Sequence, residues 1–189
     1  MFTIPNILTV VRILGTGFLP FLKPSSTAFL VVYAVCGVSD VLDGTAARIL
    51  KKTSDFGAKL DSAADLLFYS VMFICIWKLL LAELPPILWA ALCVVLLLRL
   101  ASYLVAFFKF HRFSSMHTYL NKLTGFAVFL LPYAIRLGIT VQYGTAACVL
   151  GMLSSLEETV IHLRNKHYDP TIKSILLLKK QREKNYAEN

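Results

Sequence analysis

Four aspartates at regular spacing are the residues of this sequence best suited to chemistry. Asp40 and Asp43 are three residues apart, Asp61 and Asp65 are four apart, and both pairs lie beside long apolar runs. If the flanks are helical, each pair projects from one helix face. Carboxylates at membrane depth are costly and by default mark a functional site. Two such faces pressed together would form an all-oxygen cluster suited to Mg²⁺, which indicates a magnesium-assisted phosphoryl-type transfer.

Apolar helices must carry these aspartates, and polar breaks divide the chain into six apolar segments. We therefore predict an all-α, polytopic membrane protein with six transmembrane helices. An interfacial piece opens the first segment, and a short basic amphipathic helix follows Pro170 and lies on the membrane surface. The predicted segments are Met1–Leu22, Thr27–Leu50, Phe56–Leu81, Ile87–Phe110, Leu123–Leu137 and Tyr143–Ile161.

Composition agrees with a membrane protein. The chain has 189 residues, of which 57% are hydrophobic, and its mean hydropathy is +0.68. This length suggests one domain over residues 1–189, with the aspartate region at 40–65 and a basic tail at 164–189. The formal charge of +8 lies between and after the apolar segments, so anionic lipid headgroups are the expected partner and nucleic acid is not. The four cysteines show no zinc or disulfide spacing.

Eight positions over twenty-six residues form a specific pattern. It reads Asp40-x2-Asp43-Gly44-x2-Ala47-Arg48-x8-Gly57-x3-Asp61-x3-Asp65. This pattern resembles the signature of the CDP-alcohol phosphatidyltransferases at every fixed position. The resemblance implies a membrane enzyme that moves a phosphatidyl group from CDP-diacylglycerol to an alcohol and releases CMP.

Two Mg²⁺ ions, with Mn²⁺ as a substitute, are the expected cofactors. The four aspartates Asp40, Asp43, Asp61 and Asp65 would hold them against the lipid-linked diphosphate. The resemblance further implies that Asp65 is the general base. Because a metal-bound carboxylate is a weak base, an orienting role for Asp65 is the alternative.

The glycines and the arginine of the pattern suit a bound nucleotide. Gly44 permits close approach, Ala47 keeps the same face small, and Arg48 supplies a fixed charge for a diphosphate. Gly57 would allow helices two and three to pack tightly. The residues predicted to bind the CDP-linked lipid are Asn6, Thr9, Gly44, Ala47, Arg48 and Gly57.

A polar edge marks the N-terminal segment. Asn6, Thr9 and Arg12 recur at three-residue spacing in an otherwise apolar run. One interpretation is an amphipathic entry helix whose Arg12 extends to the headgroups; the other is that this edge faces the active cavity. The start Pro-Asn-x-Leu-Thr-x2-Arg resembles the glycerophosphate-accepting and cardiolipin-forming bacterial members of the family.

Basic residues in and after the fourth segment point to an anionic acceptor. Arg99, Lys109, Arg112 and Lys122 are the predicted acceptor-binding residues. Arg99 lies mid-segment, where it needs an anionic partner, either the aspartate cluster or the acceptor's phosphate. Together with the N-terminal pattern, this favours glycerol 3-phosphate as acceptor. The glycerophosphate-accepting enzymes of the family place an Arg-Glu pair here, whereas Arg99 is followed by Leu100. Inositol phosphate, serine and phosphatidylglycerol therefore remain alternative acceptors.

Lysine and arginine placement predicts orientation. One side of the predicted topology carries fourteen of these residues, and the other keeps only Lys23, Lys78 and Arg136. The crowded side should face the cytoplasm of a cell-membrane protein, together with both termini and the carboxylates. Small residues such as Gly144 and Gly151 predict either close helix contact or a homodimer face.

Two other classes of function fit the sequence less well than an enzyme. A cation transporter would spread acids along the membrane normal and over several spans, whereas the four aspartates lie on two adjacent segments. A non-catalytic membrane scaffold would tolerate the loss of motif positions, whereas all of them are present.

Overall fold

The computed structural model describes residues 4–50, 55–111, 118–165 and 172–175. Every regular element within these ranges is a helix, which confirms the predicted all-α class. The helices are α1 (Ile4–Phe18, followed by a 3-10 turn at Leu19–Phe21), α2 (Thr27–Leu50), α3 (Asp55–Glu83), α4 (Pro86–Phe110), α5 (Tyr119–Phe129), α6 (Leu131–Arg136) and α7 (Thr140–Arg164).

Three stretches in the described ranges are long and apolar enough to cross a membrane. They are Ala63–Glu83 of α3, Pro86–Phe110 and Thr140–Arg164. Two shorter apolar stretches, Thr9–Phe21 and Thr27–Asp40, precede them. The membrane-like helices confirm the expected class of protein, while the count of six spans stays a prediction.

The predicted fifth span, Leu123–Leu137, is divided in the structure. α5 ends at Phe129 and α6 begins at Leu131. Pro132 explains the break, because proline has no N–H to donate and its ring clashes with the carbonyl four residues earlier in a continuous helix. Proline is tolerated in the first turn of a new helix, and Pro132 is the second residue of α6.

Burial follows the pattern of a membrane protein. Arg12, Glu158 and His162 are at most 1% exposed. By contrast, Leu14 and Phe108 are 69% and 74% exposed. Large exposed apolar side chains together with buried charges are expected where lipid, rather than water, surrounds the helices.

The chain forms two compact units, and the first contains α1, α2, α3 and Pro132–Gly138. Stacked aromatic rings form its core. Tyr33 is fully buried between Phe29 and Phe68, with ring centroids 6.2 and 4.9 Å away. The hydroxyl of Tyr133 donates to the carbonyl of Leu30 at 3.2 Å. These contacts hold α2, α3 and the 132–138 segment together.

α1 approaches α2 closely at Gly15. A Cβ atom added to this glycine would lie only 2.6 Å from the Sγ of Cys36. The same sulfur lies 3.7 Å from the carbonyl oxygen of Arg12. The missing side chain at Gly15 therefore sets how near the backbone of α1 comes to α2.

The second unit contains α4, α5 and α7. Glycines on α7 allow close contact with α4, as predicted. A Cβ at Gly144 would lie 3.4 Å from Leu88, and one at Gly151 would lie 3.0 Å from Val95. These positions serve contact within the unit, and a homodimer face remains a prediction.

Residues 172–175 pack on the end of α7. Ile172 and Ile175 contact the buried Ile161. Glu157 accepts hydrogen bonds from the Ser174 hydroxyl at 3.0 Å and from the Ile175 N–H at 3.1 Å. The predicted C-terminal amphipathic helix lies mostly outside the described residues.

The close approach at Gly15 yields a stability prediction. We expect Gly15→Ala to lower the thermal midpoint in detergent, since the new methyl overpacks the α1–α2 contact at a cost of about 1–3 kcal/mol. Gly17→Ala is the matched control on the same helix, because its added Cβ would meet nothing within 4 Å beyond its chain neighbours and the backbone of its own helix.

Removing the opposing sulfur should relieve the overpacking. The double variant Gly15→Ala/Cys36→Ala should melt above Gly15→Ala alone. Equal midpoints for Gly15→Ala and Gly17→Ala would contradict the close approach.

Candidate active site

The predicted polar edge of α1 faces protein. Thr9, Arg12 and Thr16 lie three and four residues apart and are all buried. α1 packs against both α2 and α3. Of the two interpretations of this edge, the structure favours the inward-facing one, because Arg12 is buried rather than extended to a surface.

Arg12 joins the first and last aspartates of the signature. Its Nη1 atom donates to Oδ1 of Asp40 on α2. The same nitrogen donates to Oδ1 of Asp65 on α3 at 2.6 Å. The arginine side chain is 1% exposed, whereas those of Asp40 and Asp65 are 38% and 44% exposed. Two carboxylates from different helices thus converge on one cationic nitrogen and keep a face open to the surroundings.

The electrostatics of this triad depend on Arg12. Two carboxylates this close repel each other strongly where water is scarce. A guanidinium between them removes most of that repulsion and stays charged at any relevant pH. One net negative charge remains on Asp40, Asp65 and Arg12 taken together, so the triad still attracts cations.

Neighbouring contacts fix the positions of the two aspartates. Phe68, one turn after Asp65, stacks on Tyr33 of α2 at 4.9 Å. Next to Asp40, the Ser39 hydroxyl donates to the Cys36 carbonyl at 2.7 Å within α2. The aromatic stack therefore holds α2 and α3 at a set distance close to the carboxylates.

The oxygen donors fit a hard divalent cation. Mg²⁺ takes carboxylate oxygens and retains open positions for water and phosphate. Asp40 and Asp65 present carboxylate oxygens from two helices around one position that a cationic group already takes. Within the described side chains, no group of three His, Cys, Asp or Glu residues comes together.

The other signature residues lie on α2 and α3, where the structure describes their backbone. α2 is continuous through Asp40 and Asp43, and α3 is continuous through Asp61 and Asp65, as the spacing argument requires. The side chains of Asp43 and Asp61 lie outside the described part of the chain, so their ligand roles stay predictions. The same applies to the lipid-binding roles of Asn6, Gly44, Ala47, Arg48 and Gly57.

In the second unit, Arg99 has a carboxylate partner. Its Nη1 donates to Glu158 at 2.5 Å, and its Nη2 donates to the Asn121 side chain at 2.8 Å. Glu158 is fully buried on α7, with Nε2 of His162 3.6 Å from its other oxygen. A buried carboxylate without this guanidinium would be severely destabilising.

The remaining predicted acceptor residues differ in their surroundings. Lys109 donates to the carbonyls of His162 and Leu163 at 3.0 and 2.7 Å, and so caps the end of α7. Lys122 is exposed in the first turn of α5. Arg112 lies outside the described residues.

Sequence reasoning missed two partners. It left Arg12 out of the candidate site, although the three-residue spacing of polar residues on α1 already marked its face. It also passed over Glu158, although an acid within an apolar segment is a signal in itself. Both residues complete ion pairs with residues that were singled out.

The chain is similar to known proteins. The family described as CDP-alcohol phosphatidyltransferase matches residues 2–156. The chain is 38% identical over 144 residues to "Cardiolipin synthase (CMP-forming)" of Streptomyces coelicolor, which is 71% of this chain and 64% of that protein. It is 44% identical over 69 residues to a "CDP-diacylglycerol--glycerol-3-phosphate 3-phosphatidyltransferase" of Cereibacter sphaeroides, or 33% of this chain and 31% of that protein.

A protein of the latter name from Pseudomonas fluorescens is 37% identical over 76 residues, covering 38% of this chain and 39% of its own. The chain therefore spans less than two thirds of the length of each of these relatives. No solved structure matches it. Because the family match runs through α1 and the whole signature to residue 156, this chain belongs to the CDP-alcohol phosphatidyltransferase family.

Proposed function

We propose that this protein transfers the phosphatidyl group of CDP-diacylglycerol to glycerol 3-phosphate and releases CMP, the activity of a phosphatidylglycerophosphate synthase. One observation carries the proposal: in a chain of this family, the first and last signature aspartates meet on one cationic nitrogen. A cation transporter or a scaffold could also contain paired carboxylates, and the family match is what favours the enzyme over both.

Divalent metal is part of the proposed site, as it is in the family. Asp40 and Asp65, together with Asp43 and Asp61, would hold two Mg²⁺ ions. Bound Mg²⁺ supplies charge that stabilises the diphosphate as it breaks. The partial exposure of Asp40 and Asp65 supports this role, because both carboxylates remain reachable from outside.

The chain's own residues bind, orient and move one proton. The acceptor hydroxyl oxygen attacks the phosphorus that bears the diacylglycerol, and the bond from that phosphorus to the CMP oxygen breaks. Asp65 takes the hydroxyl proton or orients the hydroxyl for attack. Arg48 offers a fixed charge to the diphosphate, and Gly44 lets the nucleotide approach α2. Asn6, Thr9, Ala47 and Gly57 complete the proposed lipid-binding set.

Glycerol 3-phosphate is the proposed acceptor because two relatives are named for its use. We infer that Lys122, exposed on α5, makes the main contact with its phosphate. Arg99 and Lys109 add positive charge while bound to Glu158 and to the end of α7. We propose that Arg112 also contributes positive charge to acceptor binding.

Phosphatidylglycerol is the second candidate acceptor. The relative aligned over 71% of this chain is named a cardiolipin synthase. That alignment extends well beyond the signature, whereas those with the glycerophosphate enzymes cover 33% and 38% of the chain. The chemistry at phosphorus would be the same, with a lipid hydroxyl as nucleophile.

We further propose a place in the cell membrane with the carboxylates and both termini at the cytoplasmic face. The lysine and arginine distribution supports this orientation. Anionic lipids are the expected neighbours of the basic loops. A homodimer is proposed from Ala146, a small residue exposed on α7, since Gly144 and Gly151 contact α4.

Release of CMP tests the activity. Purified protein in detergent, given CDP-diacylglycerol and Mg²⁺, should release CMP when glycerol 3-phosphate is added, and EDTA should abolish the release. Asp61→Asn should reduce the rate by at least about a hundredfold, because a metal ligand is lost. Asp55→Asn, on the same helix but outside the signature, is the matched control and should retain activity.

The same assay separates the acceptors. Phosphatidylglycerol, inositol phosphate, inositol and serine are tested in parallel with glycerol 3-phosphate. Release with phosphatidylglycerol alone would select the second candidate. If the protein binds CDP-diacylglycerol and no acceptor yields CMP, the enzyme proposal is wrong and a scaffold is favoured.

The acceptor role of Lys122 predicts a selective kinetic effect. Lys122→Gln should raise KM for glycerol 3-phosphate roughly 10–100-fold, since a charged hydrogen bond is worth about 1.5–3 kcal/mol. KM for CDP-diacylglycerol and the thermal midpoint should not change. Arg136→Gln, which removes an exposed cation at the end of α6, is the control. Equal changes in both KM values would contradict the assignment.

Stability and kinetics distinguish the two roles of Arg99. Glu158→Gln and Arg99→Gln should each lower the thermal midpoint, because losing one partner of a buried pair costs about 3–5 kcal/mol. The double variant should melt above either single variant. If Arg99 also binds acceptor, KM for glycerol 3-phosphate rises only in the variants that lack Arg99. An unchanged KM in all three would restrict Arg99 to its pairing with Glu158.

A further inference from the structure

The position of Arg12 demands an explanation beyond helix packing. It lies on a short apolar helix whose outward side chains include the exposed Val11, Leu14 and Phe18. A charge in such a helix is costly unless it is paired. Arg12 is 1% exposed and is bonded to Asp40 and Asp65, so its site is built around these two carboxylates.

The geometry of the contact resembles that of a shared cation. Oδ1 of Asp40 and Oδ1 of Asp65 both accept from the same nitrogen, Nη1. A ligand placed between two carboxylate oxygens from α2 and α3 is also what the proposed metal site requires. Arg12 and a divalent cation therefore compete for the same two carboxylates.

Simultaneous full occupation by both cations is unfavourable. A guanidinium cannot lose its charge by deprotonation. A divalent ion bound to the same oxygens would face that fixed charge at contact distance, where like charges repel strongly. Binding of a divalent cation therefore favours the withdrawal of Arg12 from at least one aspartate.

We propose that Arg12 is a positioning residue: it holds Asp40 and Asp65 together as a resident counter-ion and is displaced from them when a divalent cation binds. This inference rests on the proposed metal site. It has two consequences: Arg12 keeps the two helices converged without metal, and it weakens metal binding, since every binding event must break its ion pairs.

Thermal melting across a Mg²⁺ titration tests this displacement without any activity measurement. Arg12→Gln should melt below the wild type in EDTA, because the carboxylates then repel each other without compensation. Mg²⁺ should raise the melting temperature of Arg12→Gln by more than it raises that of the wild type. The Mg²⁺ midpoint is the Mg²⁺ concentration that gives half of the maximal shift in melting temperature. In Arg12→Gln it should be lower by about tenfold or more, since a competing charge has been removed.

Arg99→Gln is the matched control, because it also removes an arginine from an ion pair, the one with Glu158. It should melt at a lower temperature while its Mg²⁺ midpoint stays at the wild-type value. An Arg12→Gln midpoint that is unchanged or higher than the wild type would overturn the proposal and leave Arg12 a packing element only.

Two additional variants, Arg12→Lys and Asp61→Asn, complete the test. If Arg12→Gln does not fold even with Mg²⁺, Arg12→Lys replaces it; the shorter side chain should reach the aspartates less well and lower the midpoint, and an unchanged midpoint overturns the proposal. If Mg²⁺ does not shift the melting of the wild type, or shifts that of Asp61→Asn equally, the metal site itself fails. A shift in the wild type that Arg12→Gln reproduces unchanged defeats only the inference about Arg12.

Discussion

A charge among apolar helices must have its opposite within reach, and this constraint shapes both units of the protein. In the first unit, Arg12 is bonded to Asp40 and Asp65. In the second, Arg99 is bonded to Glu158. Each pair joins different helices, so the cost of leaving a charge alone becomes a restraint on how those helices pack. The same restraint gathers the carboxylates that the proposed chemistry needs.

Close packing is what allows the first pair to form. Arg12 comes between α2 and α3 because α1 lies near α2, and that nearness depends on the absent side chain of Gly15 opposite Cys36. The stack of Tyr33 on Phe68 fixes the α2–α3 distance from the other direction. Glycine contact and aromatic stacking are each weak interactions. Together they set the distance between the carboxylates of Asp40 and Asp65, and the proposed chemistry depends on that distance.

Much of this arrangement could be predicted from local sequence. Aspartate spacing and polar breaks sufficed for the helical class and for the bounds of α2 to α4, because both depend on near neighbours in the chain. The division between α5 and α6 could also have been predicted from Pro132. The partners of Arg12 and Arg99 could not, since spacing gives the face of a helix but not which other helix meets it. Glu157 and Glu158 illustrate this limit. They are adjacent acids, yet Glu157 accepts hydrogen bonds from residues 174–175, whereas Glu158 accepts one from Arg99.

The order of the partners along the chain adds a consequence for biosynthesis. Arg12 precedes Asp40 by 28 residues and Asp65 by 53, and Arg99 precedes Glu158 by 59. Chains are made from the N terminus, and early segments begin to fold first. In both units the cation has therefore left the ribosome before the acid that it neutralises. The charge that enters the apolar phase first is thus an arginine, whose long side chain can extend to the headgroups until its partner arrives. The shorter aspartate and glutamate side chains never have to wait alone.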